Sequence, residues 1–506
     1  MTLFFEFLQV AVGNRKSLSV SVTDADWHRL FEFCKRQALI GVGFSAVEKL
    51  HAMGVVCPAA LRMQWMALAL QIEKRNEVLN RQCAELTRRY EHDGLSTCIL
   101  KGQGNYLNYP EGLRTRRMPG DIDVWATPIK DERLRGDDFV HTENTEGHGC
   151  PQADEMGKQQ LVENNKNPQM SQMDTDGCPQ ADGGVAIAVQ TGKEDLEYVE
   201  YHGLKAVIEY VRMQHRLEGN IEKPVIRYHH IESPKMEGTE VEVHFRPCYA
   251  HSPLRNRRMQ RWFNDHADVC MKNKTHMGFA VPTASVNVVY QMCHLFSHYF
   301  DEGLGLRQLM DYYFALRVWH NDVMECKDLQ TQGMWSEGLG TPVMSKEEVM
   351  SVLRSFGMTK FAGAVMYVLH KVFAIPTRQM INDERLLIND FVHMENADGN
   401  GGPQADEVGE QQLSKIRQQL KEKFVCEPWL LCEPNEREGR KLLEEIMKGD
   451  NFGQFDTRDA ELKKGGMMKH GLWKLKRVMR LVRSYPEEAL WEPVFRVYHL
   501  GWRLIH

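Results

Sequence analysis

The 506-residue sequence predicts an α+β protein: a small sheet-containing core at residues 96–250, flanked by a helical region at 1–95 and another at 251–506. Three observations predict it. Long stretches at both ends carry apolar residues at helical spacing. Short apolar or alternating runs cluster between residues 95 and 247. Two related polar, glycine-rich segments interrupt this plan and hold too few large apolar residues to order themselves by burial.

In the N-terminal region, D-W-H-R-L-F-E-F-C-K-R-Q-A-L-I (26–40) spaces its apolar residues along one helical face, with Asp24 after Thr23 as the expected N-cap. A long helical pattern follows over 61–91. The start, M-T-L-F-F-E-F-L-Q-V, reads as a first helix and not as a signal peptide, because it carries Glu6 and no early basic residue. The pattern then changes. L-S-T-C-I-L-K-G (95–102) and I-D-V-W-A (122–126) are short apolar runs of the buried-strand type. E-D-L-E-Y-V-E-Y-H-G-L-K-A-V-I-E-Y-V-R (194–212) predicts an amphipathic helix. K-P-V-I-R-Y-H-H-I-E (223–232) and T-E-V-E-V-H-F-R-P (239–247) alternate and predict a hairpin joined through S-P-K-M-E-G. Helices return at 285–300 and 306–319.

Composition narrows the function classes. A net charge of −6 gives no bulk attraction to nucleic acid. No apolar run reaches membrane-spanning length, so a transmembrane helix is not expected. The twelve cysteines are scattered from Cys34 to Cys432 without a C-x-x-C pair, which predicts free thiols in a reducing compartment, the cytoplasm. The segment 470–483 carries six basic residues, counting His470, among apolar ones. A helix packed on the domain with solvated Lys and Arg is favoured there over contact with a membrane surface.

D-F-V-H-T-E-N-T-E-G-H-G-C-P-Q-A-D-E-M-G-K-Q-Q-L (138–161) recurs at 390–413 with 17 of 24 positions identical, and D-G-C-P-Q-A-D (176–182) is a third fragment. A separation of 252 residues is no solenoid period, so the copies read as duplicated flexible insertions. Residues 137–184 have a net charge of −8; without them the chain would stand at +2, so the acidity belongs to the insertion.

The chemistry concentrates in R-T-R-R-M-P-G-D-I-D-V-W (114–125). In a strand, residues two apart share a face, so Asp121 and Asp123 present two carboxylates together. Like charges at that spacing repel unless a cation lies between them, and Mg²⁺ prefers such hard oxygen ligands. Ile122 and Val124 would face a core. A third carboxylate is expected from Glu242 on a separate strand, with Glu240 as the weaker candidate and His244 orienting the carboxylate. Arg114, Arg116 and Arg117, with Gly120, would face a triphosphate. So would Lys101-Gly102-Gln103-Gly104 at a strand-to-helix junction, where backbone amides favour phosphate. His294 and His298 are expected to pack as ordinary helix residues, and Asp311 to pair with Arg307 one turn earlier.

L-K-G-Q-G-N-Y-L-N-Y-P, R-x-x-G-D-I-D-V-W, E-V-H-F-R and G-L-R-Q-L-M-D-Y-Y-F-A-L (305–316), in that order, resemble the bacterial uncharacterised nucleotidyltransferase family of the polymerase-β-like superfamily. The resemblance spans roughly residues 25–330. It implies a minimal mixed-sheet nucleotidyltransferase core between helical parts. It also implies Mg²⁺-dependent transfer of a nucleoside monophosphate from an NTP to an acceptor, with release of pyrophosphate. Asp121, Asp123 and Glu242 would be the catalytic and metal-holding residues, and a two-metal site is compatible with three carboxylates. Lys101, Gly102, Arg117 and Gly120 would contact the nucleotide. The acceptor could be a sugar, a small molecule, a protein or an RNA end. The wider superfamily usually has Gly-Ser or Gly-Gly before its aspartates, where this chain has Lys101-Gly102. That departure favours the alternative of a catalytically silent binding module; the full set of three carboxylates opposes it.

Overall fold

A computed structural model describes residues 1–129, 184–190, 196–219, 224–331, 343–375, 430–454 and 466–505. The acidic segment and its second copy at 390–413 lie outside the described residues, apart from Gly184. Helices dominate. The N-terminal region contributes α1 (Thr2–Val12), α2 (Asp24–Arg36), α3 (Ile40–Ala52) and the 34-residue α4 (Ala59–His92). The residue that caps α2 is Thr23, not Asp24: its hydroxyl accepts from the Asp26 amide while Asp26 reaches back to the Thr23 amide. This reciprocal capping box satisfies two otherwise orphaned donors.

The core sheet has four strands: β1 (Leu95–Ile99), β2 (Ile122–Pro128), β5 (His230–Met236) and β6 (Thr239–His244), in the order β1-β2-β6-β5. β1 runs antiparallel to β2, β2 parallel to β6, and β6 antiparallel to β5. The sheet is therefore mixed, as expected. A separate ribbon joins β3 (Gly184–Gln190) to β4 (Leu196–His202), followed by α6 (Gly203–Leu217); a short α5 (Glu111–Arg114) precedes β2. The single helix predicted over 194–212 is thus half strand. Its first half alternates as L-E-Y-V-E-Y-H, and Gly203 (φ +56°) breaks the chain between the two halves. The hairpin also differs from expectation. β5 begins at His230 and runs on through Pro234 with a register shift between Ser233 and Met236, and the turn is confined to Glu237 and Gly238, both at positive φ. Pro234 is tolerated because β5 is an edge strand.

After the sheet come α7 (Pro253–Asp265), α8 (Ala267–Lys272), α9 (Ala284–Asp301), α10 (Leu306–Thr331), α11 (Lys346–Ser355) and α12 (Thr359–Phe373). Further on are α13 (Glu436–Gly449), α14 (Met467–Leu481) and α15 (Pro486–Ile505). The two helical regions share one apolar core: Phe4, Phe7 and Trp65 cluster with residues such as Phe296, Phe361 and Leu442. Gln9 donates to the Val372 carbonyl across it (3.1 Å). The sheet separates that core from a second one. Period-two alternation sends Ile122, Val124, Ala126, Val241 and Val243 into the second core, against α4 and α6, while Trp125, Cys98 and Leu100 join the helical one.

Parallel pairing of β2 and β6 requires a crossover connection. The chain leaves β2 at Ile129, eight residues from Asp121, or about 26 Å at roughly 3.3 Å per residue. Ile129 thus lies at the end of β2 opposite the two aspartates.

One close approach sets the loop after β1. A β-carbon on Gly104 would stand 2.4 Å from the backbone oxygen of Ile99. Gly104→Ala should therefore cost about 1–3 kcal/mol in urea unfolding through overpacking. Gly112→Ala, where a β-carbon meets nothing within 4 Å, should leave stability unchanged or slightly raised.

Candidate active site

Strand register builds the site. β2 and β6 run side by side with Asp123 opposite Glu242 and Trp125 opposite His244. Because their neighbours fill the sheet's apolar core, these four side chains share the other face. That face, with α9, α14 and α15, encloses a cavity of about 740 Å³ lined by Lys101, Asp121, Glu242, His244 and many further polar groups.

Asp123 is 1% exposed. Its Oδ1 meets Lys101 Nζ and His244 Nε2, each at 3.0 Å. Its Oδ2 is buried with no hydrogen-bond partner among the described residues. Glu242 is partly buried; its Oε2 lies 3.6 Å from His244 Nε2 and 3.6 Å from His230 Nδ1. Burial pushes the Glu242 carboxyl up, but the His244 contact and the Lys101 charge outweigh it and hold the group below its ordinary range. Asp121 stands at the cavity wall just ahead of β2. Glu240 shares the face of Glu242 but is exposed and paired with Lys235 (3.0 Å), away from the cavity. His244 sits between both carboxylates, as an orienting partner should; burial lowers its pKa, but the carboxylates of Asp123 and Glu242 raise it further.

The cations come from the loop after β1 and from helix α10. Burial works against the Lys101 ammonium, but Asp123, Asp121 and Glu242 outweigh it and raise its pKa. Gly102 (φ +62°) turns the chain into a 3₁₀ helix over Gly102–Asn108, and a β-carbon there would lie 3.4 Å from the Asp121 carbonyl oxygen. That left-handed turn is where glycine is needed. Asn105 in this helix was not singled out by sequence. Its Oδ1 accepts from Asn287 (3.1 Å) and Gln291 (2.8 Å), while its buried Nδ2 has no partner among the described residues.

The arginine run divides. Arg116 pairs with Glu48 and Glu73, and neither it nor Arg114 lines the cavity. Arg117 is at the wall but buried. Its Nε and Nη2 each donate to Asp311 at 2.7 Å, and its Nη1 donates to the Met118 carbonyl. Asp311 also accepts from the Tyr109 hydroxyl at 2.6 Å. Asp311 is thus the partner of Arg117, not the expected partner of Arg307. Arg307 donates from Nη1 to Met118, leaving its buried Nε without a partner among the described residues. A β-carbon on Gly120 would lie 3.6 Å from that Nη1, an ordinary contact, so Gly120 sits beside Arg307 without being required by it.

Histidines form much of the remaining wall. His294 and His298, predicted as helix-packing residues, line the cavity with their rings 4.3 Å apart at right angles. Burial, then the neighbouring cations, lowers both; His298 falls to about 4. His229 and His230 also line it; burial depresses both, followed by His230 for His229 and by His244 for His230. The histidine pair in Y-H-H-I-E, opposite E-V-H in the predicted hairpin, was the available signal for them.

The residues fit a divalent cation. Asp123, Glu242 and His244 each offer a ligand atom within 4.8 Å of the others, Asp121 stands at the adjoining cavity wall, and Asp123 Oδ2 is a buried acceptor with no donor among the described residues. The sequence profile of a family described as uncharacterised nucleotidyltransferase matches residues 23–148 and 196–332, more than half of the chain. The chain belongs to this nucleotidyltransferase family. Both matched stretches carry site residues: Lys101, Asp121 and Asp123 in the first, Glu242, His244 and Arg307 in the second. The break at 149–195 falls largely within the acidic segment. No curated protein and no solved structure matches the chain.

Breaking a buried ion pair strands a charge. Asp311→Ala should therefore lower unfolding stability by about 3–5 kcal/mol, and the double variant Arg117→Met with Asp311→Leu should recover most of it. Urea denaturation of the three proteins measures this.

Proposed function

We propose that this cavity binds a nucleoside triphosphate with Mg²⁺ and transfers the nucleoside monophosphate to an acceptor hydroxyl. The observation that carries the reading is the buried, half-satisfied Asp123 carboxylate, the register partner of Glu242 across β2 and β6, beside a cavity lined by Glu242, Asp121 and Lys101. Asp121, Asp123 and Glu242 would hold the metal, which when bound offsets negative charge developing on the phosphates. Lys101 and Arg307 line the same space and would balance the triphosphate. Arg117 acts at one remove: its donors are committed to Asp311 and Met118, so it positions the 117–121 turn against α10. The acceptor oxygen attacks the α-phosphorus, the bond from that phosphorus to the bridging oxygen breaks, and pyrophosphate leaves. The hydroxyl proton passes to a carboxylate of the cluster or to a water it holds.

The nine described cysteines are all free thiols, which supports a reducing compartment and, with it, a cytoplasmic location. Among the described residues, no helix is long and apolar enough to cross a membrane. One face of α14 packs inward through Trp473, Val478 and Arg477, whose guanidinium donates to the Tyr299 and Phe300 carbonyls.

The test is Mg²⁺-dependent release of pyrophosphate from NTPs offered with pooled acceptors. Asp121→Asn should abolish it without loss of stability. Glu242→Gln should lower turnover at least ~10²-fold, the scale of a lost metal ligand or base. Glu240→Gln, on the same strand face but outside the cavity, should change it little. Turnover in Asp121→Asn equal to that of the unaltered protein would refute the metal-holding role. Nucleotide binding without pyrophosphate release would favour the silent-module alternative.

A further inference from the structure

Beside the carboxylates, three imidazoles converge. His230 is the register partner of His244 across β5 and β6, and His229 immediately precedes it. One ring nitrogen from each of the three lies within 4.8 Å of the other two. His229 Nε2 and His230 Nδ1 are 3.0 Å apart. The His244 ring centre is 5.2 Å from each of the other two ring centres. Nδ1 of His229 and Nδ1 of His244 are buried and have no hydrogen-bond partner among the described residues. All three rings line the cavity, so an ion could reach them.

This grouping is poorly explained by packing alone. A neutral imidazole has one donor and one acceptor nitrogen, and the trio satisfies only one contact among its own members. An unpaired buried polar atom costs free energy that the fold must otherwise supply. A borderline-soft dication would accept a lone pair from one nitrogen of each ring and so give the cluster a common partner. The donor set is also wrong for Mg²⁺, which takes oxygen.

We propose that His229, His230 and His244 form a nitrogen-donor site for a transition-metal dication of the Zn²⁺ or Co²⁺ class, next to the carboxylate cluster but chemically distinct from it. Three protein ligands leave a coordination position open towards the cavity, as in zinc sites that bind a water or a substrate oxygen. His244 links the two sites, since its Nε2 contacts Asp123 while its Nδ1 lacks a partner among the described residues. The site rests on the imidazoles and does not require the nucleotidyl-transfer reading.

Titration of metal-free full-length protein with Co²⁺, in a large excess of Mg²⁺ and without nucleotide, tests it. The expected result is one Co²⁺ per chain with the intense visible absorption of a low-coordinate, nitrogen-ligated ion, displaced by Zn²⁺ and not by Mg²⁺. His229→Gln and His230→Gln should each weaken Co²⁺ binding at least ~10-fold, while Asp121→Asn keeps the spectrum. Circular dichroism confirms that each variant folds. If one does not, the Mg²⁺ and Zn²⁺ competition on the unaltered protein decides alone. Absent absorption, displacement by Mg²⁺, or loss in Asp121→Asn with none in the histidine variants would overturn the site. Pyrophosphate release is measured separately, so failure here and failure of the transfer reading are distinguishable.

Discussion

A carboxylate almost fully removed from water has to be neutralised by its surroundings, because the desolvation penalty is several kcal/mol per ion. Asp123 imposes that constraint on this protein. Its neutralising partners come from elements distant in the chain: Lys101 from the junction after β1 and His244 from the end of β6. Both reach the same oxygen, and the other is left without a donor among the described residues. The backbone repeats the arrangement, since the Leu100 amide donates to the Asp123 carbonyl at 2.9 Å. The loop carrying Lys101, Gly102 and Asn105 is thus tied to the strand whose charge it compensates.

A second buried charge pair fixes the other border. Arg117 lies just before β2, and Asp311 lies in the second turn of α10, within the C-terminal helical region. Their bidentate contact, joined by Tyr109, anchors the turn that presents Asp121 to a helix that also contributes Arg307. The cavity is therefore a joint product of the sheet and the C-terminal helices. α15 closes it by packing Phe495 and Trp502 around Tyr228, next to the histidine pair. Arg246 stacks on the same tyrosine at 4.4 Å, which adds a cation–π contact to that aromatic seam.

Two kinds of donor thus meet at one site. The carboxylates of Asp121 and Glu242 line the cavity and that of Asp123 is buried beside Glu242; under the proposed function these oxygens would suit a hard cation. The imidazoles suit a softer ion or a neutral polar group. His244 belongs to both sets because strand register puts it beside Glu242 on its own strand and opposite His230 on the next.

By itself, the sequence determined the α+β class, strands within the runs 95–102 and 122–126, the terminal helices, and a shared face for Asp123 and Glu242. Local periodicity encodes these: period two puts Asp123 and Glu242 on one face and Ile122 and Val243 on the other. It also separated Glu242 from Glu240 as the stronger candidate. It missed the split at Gly203, because E-Y-V-E-Y-H reads equally as helix or strand until a partner strand is present. It misassigned Asp311, since spacing of i and i+4 favours Arg307 whereas folding delivers Arg117 from almost two hundred residues away. Asn105, His229 and His230 went unassigned, and Arg307, His294 and His298 were given packing or pairing roles away from a cavity. Their chemistry arises from convergence on one cavity, and only tertiary packing decides which buried polar atoms share a space and which are left without partners there.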